Sequence, residues 1–180
     1  MGKPGTWDVG TEIVRAWEHK YQEIVTSRIG KEVWLHVSGM SGYVPVVNRT
    51  VFNNNEVHFP RISVGFEIWT NQTKGYRYVP ETNEINYNDF VGSFYLTDFP
   101  ENISVVVSHS AYVNEHYRNL GIGKILNRLR CEALKNTDES IMLVAIVKDD
   151  NNRQINIMQS NGWTCIGQFM NNSSIWRLVK

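Results

Sequence analysis

The stretch that most constrains this chain runs from Val105 to Leu134. Val105-Val106-Val107 through Ala111-Tyr112-Val113 is rich in β-branched side chains and stands between Pro100 and Asn114, which predicts a buried strand. Arg118-Asn119-Leu120-Gly121-Ile122-Gly123-Lys124 follows, after which Ile122, Ile125, Leu126, Leu129 and Ala133 recur at helical spacing. Two glycines at i and i+2 let the backbone approach a ligand closely. A helix beginning there aims several N–H groups at one spot, with Arg118 and Lys124 beside it. That is a phosphate cradle.

Two common nucleotide readings of the cradle fail on its own residues. A P-loop needs a longer glycine spacing ending in Gly-Lys-Ser/Thr, and Lys124 is followed by Ile125, which offers no hydroxyl to magnesium. A dinucleotide fingerprint needs a third glycine three residues after the second, where Leu126 and Asn127 stand.

Arg118-Asn119-Leu120-Gly121-Ile122-Gly123 resembles the Arg/Gln-x-x-Gly-x-Gly/Ala signature of the GNAT N-acetyltransferase superfamily. Ala111-Tyr112-Val113 ends a strand where that family binds the pantetheine arm. Ile141 to Val147 looks like the family's next strand, and Asn151 to Gly162-Trp163 resembles the helix that closes on a Gly-Phe pair. The resemblance covers about residues 104–180 and implies an α/β (α+β) fold: a mixed, mostly antiparallel twisted sheet with helices on both faces and two splayed parallel strands forming the cleft. It further implies acetyl-CoA as co-substrate, its pyrophosphate on the N–H groups of Asn119, Leu120, Gly121, Ile122, Gly123 and Lys124. Ala111 and Val113 would then offer backbone groups to the arm, and Asn151 stands where the family has an asparagine that helps hold the cofactor.

The rest of the chain reads as one domain over residues 1–180, divided into an N-terminal helix (1–30), a meander with acceptor-side loops (31–100) and the cofactor half (104–180). Ile13, Trp17, Tyr21, Ile24 and Val25 are spaced helically over Thr11 to Arg28, with Gly30 as the stop. Glu32–Val37, Val44–Phe52 and Glu56–Trp69 read as strands, Asn53-Asn54-Asn55 as a hairpin loop, and Phe90–Phe99 as the strand before the cofactor strand, joined to it by a turn at Pro100-Glu101-Asn102. Asn71 to Asn88 reads as a long loop or a set of turns, whose Tyr76, Arg77, Tyr78 and Tyr87 either wall an acceptor site or pack over the sheet edge. Trp163–Phe169 and Ser174–Val179 read as a closing hairpin.

Basic and acidic residues balance at 18 each, so no global field draws the chain to nucleic acid or to a membrane. No apolar run approaches the ~20 residues of a membrane span, and Met1 to Thr6 is followed by charged sequence, not by the apolar core of a secretion signal; a cytoplasmic protein is expected. Cys131 and Cys165 make no disulfide framework, and no His, Cys or carboxylate spacing points to a metal. The partner implied by the resemblance is an amine, of a small molecule or a protein, with a nucleic-acid-linked amine as the alternative, and dimers are common in the family.

Chemistry of that class needs a group to take a proton from an ammonium and a way to protonate a departing thiolate. Strand alternation puts His109, Ala111 and Val113 on one face. His109, four residues before Val113, is similar in position to a catalytic histidine of some arylalkylamine acetyltransferases, and imidazole titrates near neutrality. Glu67, between Phe66 and Ile68, is the second base. The family's usual acid is a tyrosine four residues before the Gly-Phe pair; here that position is Met158, a thioether with no proton to give. Tyr112 and Tyr117 are the hydroxyls next in line, with solvent protonation or a non-catalytic acyl-CoA-binding module as alternatives.

Overall fold

The computed structural model describes residues 5–43, 60–72, 77–79, 81–82, 84–86, 89–98, 104–137, 140–169 and 171–180. Val9, Ile13, Trp17, Tyr21 and Val25 are buried at every fourth position. A stripe with that spacing drifts round a helix of about 3.6 residues per turn, and the chain takes up part of the drift with one wide turn. Helix α1 (Gly5–Ala16) passes through a π turn (Trp17–Tyr21) into α2 (Gln22–Ile29), the Gln22 N–H bonding to the Trp17 carbonyl five residues back. Gly30 then stops the helix as expected: its φ of 82° is left-handed and its N–H bonds to Thr26 O at 2.8 Å.

The strands are β1 (Trp34–Tyr43), β2 (Pro60–Trp69), β3 (Arg77–Val79), β4 (Glu84–Asn86), β5 (Phe90–Asp98) and β6 (Val105–Val113). A 3-10 turn (Glu115–Tyr117) and helix α3 (Ile122–Asn136) lead to β7 (Met142–Lys148), α4 (Asn152–Ser160), β8 (Thr164–Phe169) and β9 (Ser173–Val179). Seven strands form one sheet in the order β1-β2-β5-β6-β7-β9-β8. Neighbours are antiparallel except β6 and β7, which α3 joins as a crossover and which run parallel. This is the mixed, mostly antiparallel sheet with one parallel pair that was expected.

Two expectations change, and others fall outside the described residues. The stretch Asn71–Asn88 is not wholly loop, since Arg77–Val79 and Glu84–Asn86 pair as a small antiparallel hairpin. The expected strand Val44–Phe52, the loop Asn53–Asn55, the turn Pro100–Asn102, Met1–Pro4, Tyr76 and Tyr87 lie outside the described residues. Helices were expected on both faces of the sheet, yet among the described residues α1, α2, α3 and α4 all bury side chains in one cluster, with Phe66, Phe94, Leu96, Val106 and Leu143 of the sheet. The opposite face carries a smaller cluster of Val105, Val107 and Val144 and, next to it, polar side chains. No helix among the described residues is long and apolar enough to cross a membrane.

At the centre of the large cluster the Phe66 ring is fully buried and stacked on Phe94, centroids 5.0 Å apart. Phe66→Ala empties that space between α1 and the sheet. It is expected to cost about 3–5 kcal/mol, read as a fall in the denaturant midpoint of unfolding.

Candidate functional site

Strands β6 and β7 pair only at Val105↔Met142, Val106↔Leu143 and Val107↔Val144. Beyond Val107 they part, because each is held by its other neighbour: β6 stays on β5 as far as Val113, and β7 follows β9 along its whole length. The facing edges past that apex lack each other's N–H and C=O groups, an open rail for a ligand that brings its own. A cleft of about 1060 Å³ opens there, walled by the end of β6, the first turns of α3 and the exposed side of α4.

The mouth of the cleft is the glycine turn. Gly121 takes a φ of 77° and caps α3 without a side chain, and the first intrahelical bond runs from the Ile125 N–H to Gly121 O at 3.1 Å. The N–H groups of Ile122, Gly123 and Lys124 therefore have no partner within the helix. Asn119 is also left-handed, with φ 66°, and its Oδ1 accepts from Arg153 Nη2 at 2.7 Å, tying the turn to α4. Arg118 donates its Nε–H to the Val113 carbonyl at 3.0 Å while its guanidinium lies 5.5 Å over the Tyr112 ring, which stacks in turn on Phe90. Asn151 caps α4, its Oδ1 accepting the Gln154 N–H at 3.2 Å. Of the residues expected to hold a cofactor, Ala111, Tyr112, Val113, Arg118, Asn119, Gly121, Ile122, Gly123, Lys124 and Asn151 all line the cleft. Leu120 does not: its side chain packs against the core and its carbonyl accepts from Arg28 Nη1.

A bulge alters the reading of β6. Between the pairs Ser93↔Tyr112 and Tyr95↔His109, β5 advances two residues and β6 three. The extra residue reverses the alternation of side chains. His109 therefore does not share a face with Val113. Val113 turns to the helices, where a Cβ on Gly123 would meet its Cγ2 at 3.9 Å, and His109 lies on the opposite face with Tyr112. There His109 Nε2 sits 2.6 Å from Thr97 Oγ1 and its ring stacks 5.9 Å from that of Tyr95.

Tyr95 lies flat over Gly65, so close that a Cβ on Gly65 would fall 2.6 Å from its ring. Its hydroxyl donates to Glu67 Oε2 at 3.4 Å, and Trp69 Nε1 donates to Glu67 Oε1 at 3.3 Å. Glu67, Tyr95 and His109 thus form one polar row across β2, β5 and β6. Neither Glu67 nor His109 is among the described residues lining the cleft, whereas Tyr112 and Tyr117 are. The sequence reading missed Tyr95 and Thr97, which are visible only once β5 and β6 are in register. Met158 is buried in the core at 1 % exposure. Burial raises the Tyr117 phenol above its ordinary pKa, so it holds its proton at neutral pH.

Although the chain is neutral overall, the cleft is not. Arg118, Lys124, Arg128, Arg130 and Arg153 line it, with no Asp or Glu among the described lining residues. Such a site suits a ligand with several negative charges. The Kd for a polyanion such as inorganic pyrophosphate is expected to rise about tenfold as salt goes from about 0.05 M to 0.5 M, checked by titration at each ionic strength.

No family model matches the chain, and no curated protein does. Solved structures do, and those compared are acetyltransferases. An acetyltransferase from Thermus thermophilus is similar at 12% identity over 66% of this chain, with a TM-score of 0.47, and the match spans 64% of that protein's length. Nourseothricin acetyltransferase is similar at 12% identity over 82% of this chain and 98% of its own, TM-score 0.48. Spermidine N-acetyltransferase from Vibrio cholerae, solved with CoA and spermine, is similar at 10% identity over 74% of this chain and 71% of its own, TM-score 0.47.

Proposed function

We propose that this chain is a CoA-dependent N-acyltransferase of the GNAT kind, moving an acyl group, acetyl in the simplest case, to a primary amine. The observation that carries the reading is the cleft between the parting strands. It has a side-chain-free helix start at its mouth, an unpaired strand edge along its wall and five cations with no acid among its described lining residues. The donor supplies an activated acyl thioester, and everything else falls to the protein.

Ile122, Gly123 and Lys124 hold the pyrophosphate by their N–H groups. The β6 edge from Ala111 to Val113 aligns the arm through backbone hydrogen bonds, while Arg118 and Arg153 brace the phosphates from either side of the turn. Tyr112, backed by Phe90, walls the cleft beside Arg118. On the other face of the bulge, His109 accepts the proton that the amine nitrogen loses as its bond to the acyl carbon forms and the carbon–sulfur bond breaks. Tyr95 and Thr97 position the imidazole, and Glu67 orients Tyr95. The Met158 position supplies no acid. A thiol is acidic enough to leave as thiolate (pKa about 8.5), so proton return by solvent suffices, with Tyr112 the nearest cleft-lining hydroxyl on His109's face.

Titration calorimetry with acetyl-CoA and a thiol-release assay over a panel of amines test the reading together. Binding with release of free CoA supports it. Binding without release from any amine would make the chain an acyl-CoA-binding module, and absence of binding would remove the cofactor site.

A further inference from the structure

A folded protein seldom buries a guanidinium without an acidic partner, yet α3 carries one. Arg130 is 4 % exposed. Its Nε–H donates to the Leu126 carbonyl at 3.2 Å, Nη1 donates to Ser108 Oγ at 2.8 Å, and the guanidinium carbon lies 5.1 Å over the Phe94 ring. Those two bonds leave three of its five N–H groups without an acceptor among the described residues. No carboxylate of the described residues comes within ion-pair distance of it. Burial draws its pKa down to about 10, still well above neutrality, so it stays charged.

Its place in the cleft gives that charge a direction. Ser108 is the first residue of β6 past the last β6–β7 pair, Val107↔Val144, so the guanidinium sits at the apex where the strands part. It also lines the cleft. The cradle lies at the other end, past Val113, which is four residues away along the partner strand β5, from Leu96 to Gly92, or roughly 13 Å. A ligand whose phosphates rest on Gly121 to Lys124 and whose arm follows β6 inward delivers its far end to Arg130. A methyl group there leaves the buried cation unpaired. A carboxylate pairs with it through the free fork of N–H groups.

Building on the proposed CoA site, we propose that the acyl donor carries a terminal carboxylate, as in a succinyl or related dicarboxylic thioester of CoA, and that Arg130 is the residue that selects it.

The probes are CoA, acetyl-CoA, succinyl-CoA and the methyl ester of succinyl-CoA, each titrated calorimetrically into the wild-type chain and into Arg130→Met and Arg130→Lys. In the wild type, succinyl-CoA is expected to bind at least about tenfold more tightly than acetyl-CoA or the methyl ester, the scale of one charge-assisted pair. In Arg130→Met the preference is expected to fall to near one, and in Arg130→Lys to survive in part. The methyl ester keeps the comparison decisive even if a variant fails to fold, because it removes the ligand's charge and leaves the protein untouched. Equal wild-type affinities for acetyl-CoA, succinyl-CoA and the ester overturn the inference while leaving the cofactor site standing. Failure of all four ligands to bind overturns both.

Discussion

A Gly121→Glu variant is expected to lose CoA binding by at least about 100-fold while remaining folded. Three effects add at that position. The φ of 77° is one that a residue with a Cβ enters at a cost of about 1–2 kcal/mol, so the turn opens or strains. The new carboxylate stands at the start of α3, where the free N–H groups would otherwise meet phosphate, and it repels the ligand's own negative charge. Loss of two charge-assisted hydrogen bonds alone is worth roughly 3 kcal/mol, or two orders of magnitude in Kd. Folding survives because Gly121 is only half-buried and a Cβ there meets only the far end of a long side chain, Arg28 Nη1 at 3.2 Å. Calorimetry reads the binding and thermal unfolding reads the fold. Undiminished affinity in a folded variant would mean that the turn does not touch the ligand.

The second large effect is expected at His109. His109→Gln keeps a side chain able to hydrogen-bond Thr97 Oγ1, the partner now 2.6 Å from Nε2, yet cannot take a proton near neutral pH. As the proposed base it should cost about 10²–10⁴ in kcat, and the acidic limb of the pH–rate profile should disappear with it. The KM for the acyl donor should hold, because His109 is not among the described residues lining the cleft. Those three readouts separate catalysis from structure: a merely structural histidine would lower stability and leave the pH profile in place. An unchanged rate would shift the proton to Glu67, whose carboxylate reaches the same row through Tyr95, and Glu67→Gln would then be the variant that loses it.

Much of the cradle was legible in the sequence because it is local. Gly121 must be a glycine for its left-handed φ, Asn119 is of the type that tolerates one, and the helix after them announces itself by the spacing of Ile125, Leu126 and Leu129. The N-terminal helix was legible for the same reason, down to its stop at Gly30. Its π turn was not, since a four-residue spacing of buried side chains reads as ordinary helix until the drift is followed over five turns. The hairpin inside Asn71–Asn88 was missed because three-residue strands carry no period.

The site beyond the cradle depended on pairing. Alternation along β6 put His109 with Val113, and one extra residue against β5 put it with Tyr112 instead. A bulge of that kind is a relation between two strands and leaves no trace in either one alone. Arg130 escaped notice on similar grounds: on a helix with an apolar face it reads as a solvated cation, and only packing against Ser108 and Phe94 shows it buried at the apex of the cleft. By itself the sequence determined the strand, the glycine turn and the helix, because backbone sterics and helical periodicity act over a few residues. Which faces those elements present, where the parallel strands part and which charge ends up buried between them were decided by the tertiary structure, because register and desolvation arise only when distant segments meet.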